Sequence, residues 1–226
     1  KMKVLVVSPN YFPEEILFEL GNVAEIISKN VSHEELLNEI GQYDAVLTRV
    51  DTKFDREILK RAKKLKVIGS ATTGLNHIDL DYAKVRNINI INLSGTHTVP
   101  TAEYTFSLIL SFVKKIPWAY NSLSKGLWER HRFFGNNMDS KVLGIIGFGR
   151  IGSSVGRYAK SFGMTVLAYD PYINKSLAKE VGVKIVTLDY LLKNSDLITL
   201  HAYLSEETKN IINSKAFSKM KSTALL

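Results

Sequence analysis

The stretch that decides the fold is "KVLGIIGFGRIGSSVGRYAKSFGMTVLAYDP", residues 141–171. Gly147, Gly149 and Gly152 spell G-x-G-x-x-G between an apolar run and a helix-like segment. In such a loop the first glycine makes the tight turn, the second lets the backbone approach a pyrophosphate, and the third lets the helix pack on the strand. A second apolar run ends in Asp170, where a carboxylate can accept both ribose hydroxyls of an adenosine and would repel a 2′-phosphate. We therefore predict a Rossmann-type site for NAD rather than NADP. The alternative is that the glycines only make a turn and Asp170 only caps a loop.

Apolar runs separated by helix-length spacers occupy the rest of the chain. They are continuous rather than alternating, which is typical of strands buried on both faces of a parallel sheet. A spacer such as "SHEELL" carries a capping box, formed by Ser32 and Glu35. The pattern predicts α/β architecture, with strands at residues 3–8, 43–49, 65–71, 87–93, 141–147, 164–170, 183–186 and 196–201, and another starting near 223.

One segment interrupts this rhythm, "VPTAEYTFSLILSFVKKIP" at 99–117. It predicts a helix with Pro100 in its first turn that is apolar nearly all round, and such a helix must be widely buried. We place the domain border just before it. This gives one domain at 1–97 and a second at 98–226.

Composition narrows the classes of function. The 226 residues include no cysteine, and the formal net charge is +8. Disulfides and thiolate metal sites are therefore excluded, we predict no metal, and without a signal sequence or membrane span we expect a cytoplasmic protein. All the excess charge lies in residues 101–226, either as a solvated lysine-rich surface or to attract an anionic ligand. Nucleic-acid binding is disfavoured because no basic stripe with interleaved aromatic residues is present.

The sequence resembles the D-isomer-specific 2-hydroxyacid dehydrogenases, and especially their 3-phosphoglycerate dehydrogenase members. "GLWERHRFFGNNMDSKVLGIIGFGRIGSSVGRYAKSFGMTVLAYDPYI" is similar to their coenzyme domain, "GSATTGLNHIDLDYA" to their substrate loop, and "TAEYTFSLIL" to their interdomain helix. The resemblance implies a flavodoxin-like substrate domain at 1–97. It also implies a Rossmann NAD-binding domain at 98–226, incomplete at its C-terminus.

The resemblance also implies roles for individual residues. Backbone amides of Thr73, Gly74 and Leu75 would hold the carboxylate of a small anionic 2-hydroxy or 2-keto acid, with Arg49 as a further substrate contact. Cofactor-binding residues would be Thr73, Thr105, Gly147, Phe148, Gly149, Arg150, Ile151, Gly152, Asp170, Pro171, His201 and Ala202. The implied activity is NAD-dependent interconversion of a D-2-hydroxy acid and its 2-keto acid.

The chain departs from the family pattern at several positions. Thr72 stands where glycine is usual, Asn76 where aspartate is usual, and Tyr203 replaces a proline on the adenosine side. Asp51 lies close to Arg49, and a carboxylate there would disfavour a phosphorylated substrate. The identity of the acid is therefore left open.

The resemblance places the catalytic Arg, Glu and His beyond Leu226. None of the histidines that are present makes a convincing general acid (His33, His77, His97, His131 and His201). We therefore expect a partial chain that is inactive by itself. The alternative is a naturally short, non-catalytic dinucleotide-binding scaffold of the corepressor type.

An association with a second copy is also expected. The 99–117 helix and the "GLWERHRFFG" arm at 126–135 would expose contiguous apolar surface in a monomer. In the resembling family this region forms the contact between coenzyme domains. We therefore predict a homodimer through the NAD-binding domain.

Overall fold

The computed structural model describes all residues 1–226, and these form two compact units, Lys1–Thr96 and His97–Leu226. Each unit contains a parallel β-sheet covered by helices and has hydrophobic clusters of its own. None of the helices combines the length and the apolar character needed to cross a lipid bilayer.

Unit 1 is built on a five-stranded sheet in the order β2-β1-β3-β4-β5, in which every pairing is parallel. This is the flavodoxin-like order, in which the chain reverses direction between β1 and β3 and leaves a crevice at the carboxyl ends of the strands. Its elements are β1 (Met2–Val7), α1 (Glu14–Val23), β2 (Ala24–Lys29), α2 (His33–Glu39), β3 (Ala45–Thr48), α3 (Arg56–Arg61), β4 (Val67–Ser70), α4 (Leu80–Val85) and β5 (Asn89–Asn92).

In unit 1, α2, α3 and α4 each begin at a side-chain cap, whereas α1 begins after Pro13 without one. The Ser32 hydroxyl accepts a hydrogen bond from the Glu35 amide, and the Glu35 carboxylate accepts one from the Ser32 amide, which confirms the predicted capping box. Asp55 and Asp79 cap α3 and α4 in the same way with their carboxylates. These caps fix where each helix leaves the loop at the edge of the sheet.

Unit 2 contains a four-stranded parallel sheet in the order β8-β7-β6-β9. This is the 3-2-1-4 portion of the Rossmann order, and the direction reverses between β6 and β9. Its elements are α5 (Thr98–Val113), α6 (Ile116–Ser124), β6 (Val142–Ile146), α7 (Arg150–Ser161), β7 (Thr165–Tyr169), α8 (Lys175–Val181), β8 (Lys184–Ile185), α9 (Leu188–Asn194), β9 (Leu197–Leu200) and α10 (Ser214–Phe217).

The predicted helix at 99–117 is wrong in its length. α5 ends at Val113, and α6 begins at Ile116 after Lys115 adopts a φ of 56°. Pro117 explains the break, because its ring would clash with the carbonyl four residues earlier in a continuous helix. Within the chain α5 buries only one face, which leaves Tyr104, Leu108 and Phe112 exposed.

The predicted strand near 223 is reduced to a single bridge. Leu225 pairs with Leu197, and its backbone exchanges hydrogen bonds with Asp196 and Ile198. β2, in contrast, was absent from the predicted strands. It follows α1 without any turn residue, only Ala24 in it is buried, and three of its six residues are polar, unlike the continuous apolar runs of the other strands.

Candidate functional site

The glycine loop of unit 2 lies where three strands meet at their carboxyl ends. Gly147 has a φ of 90°, and a Cβ there would lie 2.4 Å from the Ala202 backbone nitrogen. Backbone hydrogen bonds join Gly147 to Tyr169 on β7, and His201 to Ile146 on β6. Only a residue without a side chain fits this junction, which positions the loop between the ends of β7 and β9.

The other two glycines of the motif differ in the space around them, since Gly152 is tightly packed and Gly149 is open. A Cβ at Gly152 would lie 2.2 Å from the Gly147 carbonyl oxygen, so α7 packs directly on the turn. A Cβ at Gly149 would have nothing within 4 Å. Beside it begins α7, and neither the Gly149 nor the Ile151 amide donates to a protein acceptor. Open space at a helix N-terminus suits the phosphates of a dinucleotide.

Asp170 joins the glycine loop to the end of β7. One carboxylate oxygen accepts a hydrogen bond from the Phe148 amide at 2.9 Å, and the other accepts from the Tyr172 amide at 2.8 Å. The carboxylate therefore does cap the loop, as the alternative interpretation held. Each carboxylate oxygen has a second lone pair, so this cap leaves acceptor capacity for ribose hydroxyls.

A cleft of about 740 Å³ opens beside Asp170. Its walls bring together several predicted residues, including Gly147, Asp170, Pro171 and Ala202. Sequence reasoning missed the wall formed by 205–208, although two adjacent carboxylates soon after a strand, Glu206 and Glu207, were a visible signal. Like Asp170, they would oppose a 2′-phosphate.

Some predicted cofactor residues do not line this cleft. Thr105 lies on α5, where its hydroxyl donates to the Thr101 carbonyl, and it lines a separate cavity with Thr199. Phe148 is buried and offers only its backbone to the loop. His201 contacts Thr199 through Nε2 at 3.0 Å, and burial lowers its pKa below the usual range. His201 is therefore neutral at pH 7.

The loop after β4 in unit 1 brings Thr73, Gly74 and Leu75 together. None of their three backbone amides donates to a protein acceptor. The carbonyls, in contrast, are bound, since Asn92 donates to the Thr73 carbonyl and Thr72 donates to the Gly74 carbonyl. A row of unpaired amides on a restrained loop is an anion-binding arrangement.

Two residues after β3 carry opposite charges near this loop. The Arg49 guanidinium lies 4.1 Å from the centre of the Tyr11 ring, a cation–π contact. Asp51 accepts a hydrogen bond from the Ser8 hydroxyl at the end of β1. Sequence reasoning singled out Arg49 and Asp51 but missed Tyr11 and Ser8, because pairing across the β1–β3 crevice depends on the sheet order.

His77 lies beneath the same loop and is buried. Its pKa is lowered chiefly by burial, against a smaller opposing effect of the Asp51 charge. At pH 7 it is therefore neutral, and its Nε2 contacts the Ser70 hydroxyl. Neither His77 nor His201 carries the proton that a general acid would supply near neutral pH.

The family model for the D-isomer specific 2-hydroxyacid dehydrogenase NAD binding domain matches residues 106–226. The chain belongs to this dehydrogenase family. The matched residues contain the glycine loop, Asp170 and the cleft, so the predicted Rossmann fold and its NAD-binding class are confirmed.

Relatives in the family act on different acids, as their names show. A D-3-phosphoglycerate dehydrogenase from Archaeoglobus fulgidus is 41% identical over 97% of this chain and 42% of its own length. A hydroxypyruvate reductase from Thermotoga maritima is 37% identical over 89% of this chain and 65% of its own length. This chain thus spans less than half of the first relative and about two thirds of the second.

A solved structure agrees with the fold. D-lactate dehydrogenase from Aquifex aeolicus, crystallised with NAD and lactic acid, superposes with a TM-score of 0.88. It is 32% identical, and the match covers 98% of this chain and 67% of that one. These relatives give no support to the corepressor-type alternative.

Proposed function

We propose that this chain provides the cofactor cleft and the carboxylate-binding loop of an NAD-dependent D-2-hydroxyacid dehydrogenase. The observation that carries the proposal is the family's NAD-binding domain in unit 2, with its open glycine loop and the Asp170 carboxylate. The dinucleotide supplies a hydride when bound, and the protein must hold the 2-keto acid and stabilise charge on its oxygen.

The residues of unit 1 suit the carboxylate of the substrate. The three unpaired amides of Thr73, Gly74 and Leu75 would receive it, and Arg49 supplies a cation. The resemblance also assigns Thr73 to the nicotinamide end of the cofactor. Cofactor phosphates would lie against Gly149, Arg150 and Ile151, with the adenosine near Asp170, Pro171, His201 and Ala202; the role predicted for Thr105 stays a prediction.

The function is tested with the product of the complete gene and with residues 1–226 alone, assayed side by side. We expect both to bind NADH, and we expect only the complete product to oxidise it with a 2-keto acid, which is reduced to the D-2-hydroxy acid. Residues 1–226 should be at least about 100-fold slower, because their buried histidines are neutral and a missing acid–base group costs about 10²–10⁴ in rate. If residues 1–226 oxidised NADH at a rate within tenfold of the complete product, His77 or His201 would be the general acid.

Asp51 provides a test of substrate class. Its carboxylate near Arg49 should repel a phosphate, so Asp51→Asn should raise affinity for 3-phosphoglycerate relative to glycerate by about tenfold, the effect of about 1.4 kcal/mol. Asp81→Asn, on the exposed surface of α4, is the matched control. Titration calorimetry measures both ligands, and an unchanged ratio in Asp51→Asn would remove Asp51 from the specificity argument.

We further propose a homodimer through unit 2. The exposed apolar residues of α5 and α6 support it, among them Leu108, Phe112 and Trp118. Light scattering at micromolar concentration should show the dimer, and Leu108→Lys should shift it to monomer, whereas Lys160→Glu on α7 should not. A wild-type monomer would contradict the proposal.

Cytoplasmic location and the absence of nucleic-acid and membrane partners remain predictions.

A further inference from the structure

Three side chains form a row of hydrogen bonds behind the carboxylate-binding loop of unit 1. Nε2 of His77 lies 3.2 Å from the Ser70 hydroxyl, which lies 2.7 Å from the Thr72 hydroxyl. The Thr72 hydroxyl lies 2.8 Å from the Gly74 carbonyl oxygen. His77 is 8% exposed and Ser70 is 3% exposed, so this row is shielded from water.

The hydrogens in this row can be placed in only one way. The Gly74 carbonyl cannot donate, so the single Thr72 hydroxyl hydrogen must point at it. The Ser70 hydroxyl must then donate to Thr72, which leaves Ser70 to accept from His77. His77 is therefore the tautomer that carries its proton on Nε2, and Nδ1 carries a lone pair.

The row controls the orientation of a peptide unit. Because a trans peptide points its C=O and the following N–H in opposite directions, fixing the Gly74 carbonyl inward turns the Leu75 amide away from the row. Asn92 has the same effect on the preceding peptide, since it holds the Thr73 carbonyl at 2.9 Å and so turns the Gly74 amide. Two of the three unpaired amides are thus oriented by side-chain hydrogen bonds to the carbonyl that precedes each of them.

We propose that His77 is a positioning residue for substrate binding, which acts through Ser70 and Thr72 to orient the Leu75 amide toward the substrate carboxylate. The inference rests on the proposed function of the 73–75 loop. Thr72 stands where the resemblance expects a glycine, which has no hydroxyl, so the row needs the threonine of this chain.

The other ring nitrogen argues against a role in packing alone. Nδ1 of His77 is buried and has no hydrogen-bond partner. Burying an unpaired polar atom costs free energy, and an apolar residue of similar size would avoid that cost. A histidine at this position is explained if its Nε2–H donates the hydrogen bond that orients Ser70.

The tautomer can be observed directly. Long-range proton–nitrogen NMR correlations of the His77 ring distinguish a protonated Nε2 from a protonated Nδ1. We expect Nε2–H with Nδ1 unprotonated at pH 7.5. Finding the proton on Nδ1 would overturn the proposal, because Ser70 would then have to donate to His77 and its contact with Thr72 would lose its hydrogen.

Substitutions separate the row from simple packing. His77→Gln places an amide donor near the original Nε2 and should keep affinity for oxamate, a non-reducible carboxylate analogue, within about twofold in the presence of NADH. His77→Leu should lower that affinity roughly 3- to 10-fold, the effect of one net hydrogen bond. Ser70→Ala should do the same, and the double variant should be no worse than either single one. Equal losses in the Gln and Leu variants, or fully additive losses, would contradict the proposal.

Two further measurements keep the outcomes distinguishable. NADH affinity should be unchanged in every variant, because the row reaches the Gly74 carbonyl and leaves Thr73, whose carbonyl is held by Asn92, in place. The Leu75 amide chemical shift should move in His77→Leu and Ser70→Ala without any ligand. The shifts and the tautomer could be as expected while the wild type does not bind oxamate. In that case the hydrogen-bond row would be correct, and the proposed carboxylate-binding function of the loop would be wrong. If His77→Leu does not fold, Ser70→Ala and the tautomer still decide.

Discussion

If the proposed function is correct, the Asp170 carboxylate serves both the fold and the ligand. It accepts backbone hydrogen bonds from Phe148 and Tyr172, which hold the glycine loop against the end of β7. Asp170 also lines the cleft, and each of its carboxylate oxygens has a second lone pair. A side chain fixed in this way spends little conformational entropy when a ribose arrives.

Asp170→Ala should therefore weaken NADH binding and narrow the preference over NADPH. Loss of hydrogen bonds to a charged group costs about 1.5–3 kcal/mol, which is roughly 10- to 100-fold in affinity. Fluorescence titration with both reduced cofactors measures the effect. Asp189→Ala, on α9 and paired with Lys219, is the control and should leave both affinities unchanged. An unaltered preference in Asp170→Ala would show that the adenosine contacts lie elsewhere.

The lowered pKa values of His77 and His201 lead us to predict that the free energy of unfolding falls on mild acidification. Burial lowers both pKa values, so the unfolded chain binds protons more readily than the folded one. Their contribution is complete above the unfolded pKa of about 6.5 and is lost as the pH falls from there through the lowered folded pKa values.

Urea unfolding at several pH values between 8 and 5 should reveal this loss. His77→Gln should flatten the dependence, whereas His33→Gln on exposed α2 should retain it. A wild-type free energy of unfolding that stays constant across this range would show that the two rings protonate without cost.

At the level of elements, the βα turn depends on two glycines for different reasons. Gly152→Ala would push a methyl group into the Gly147 carbonyl, and relief of this contact must move α7. Overpacking of this kind costs about 1–3 kcal/mol or more. Gly149→Ala has room for its methyl group and an unstrained backbone, so the fold should tolerate it.

The pair therefore separates stability from binding. Thermal unfolding should show a lower Tm for Gly152→Ala and a nearly unchanged Tm for Gly149→Ala. NADH titration of Gly149→Ala should show an affinity at least about tenfold lower, because the methyl group occupies the space where the pyrophosphate would approach. Normal NADH binding by the Gly149→Ala protein would show that the cofactor phosphates do not bind at this loop.

Most of the architecture was predictable because apolar runs and glycines act locally. The G-x-G-x-x-G turn, the strand before it and the strand ending at Asp170 lie within one short stretch, and the structure has them there. β2 was missed because its exposed face breaks the apolar run. The break between α5 and α6 was missed because the apolar pattern continues through it. Pro117 was the signal in the sequence that could have revealed it.

The site was predictable only in part, since its hydrogen bonds join distant positions. Asn92 reaches the Thr73 carbonyl 19 residues away, and Ser8 reaches Asp51 43 residues away. Nothing in the local pattern marks such pairs; they arise when parallel strands bring their carboxyl ends to one edge. The cofactor loop, in contrast, is a contiguous motif and could be recognised from sequence alone.

For the whole molecule, two units with separate hydrophobic clusters should respond separately to a ligand. NADH should stabilise unit 2, which contains the cleft, by about 2.7 kcal/mol when its concentration is 100 times the Kd. Scanning calorimetry should therefore show one transition that moves up with NADH and one that does not. A single transition that moves as a whole would show that the two units unfold cooperatively.

The strand orders also bear on how the chain folds as it leaves the ribosome. In unit 1 the first strand, β1, lies inside the sheet, and both its neighbours, β2 and β3, are synthesised before residue 50. In unit 2 the central strand β6 must wait for β9, at Leu197–Leu200, before its second edge is paired. Domains generally form in order of synthesis, and unpaired strand edges invite aggregation. The nascent chain should thus complete its first sheet early and carry an open β6 edge late, which makes translation of residues 142–200 the interval in which a chaperone has the most to protect.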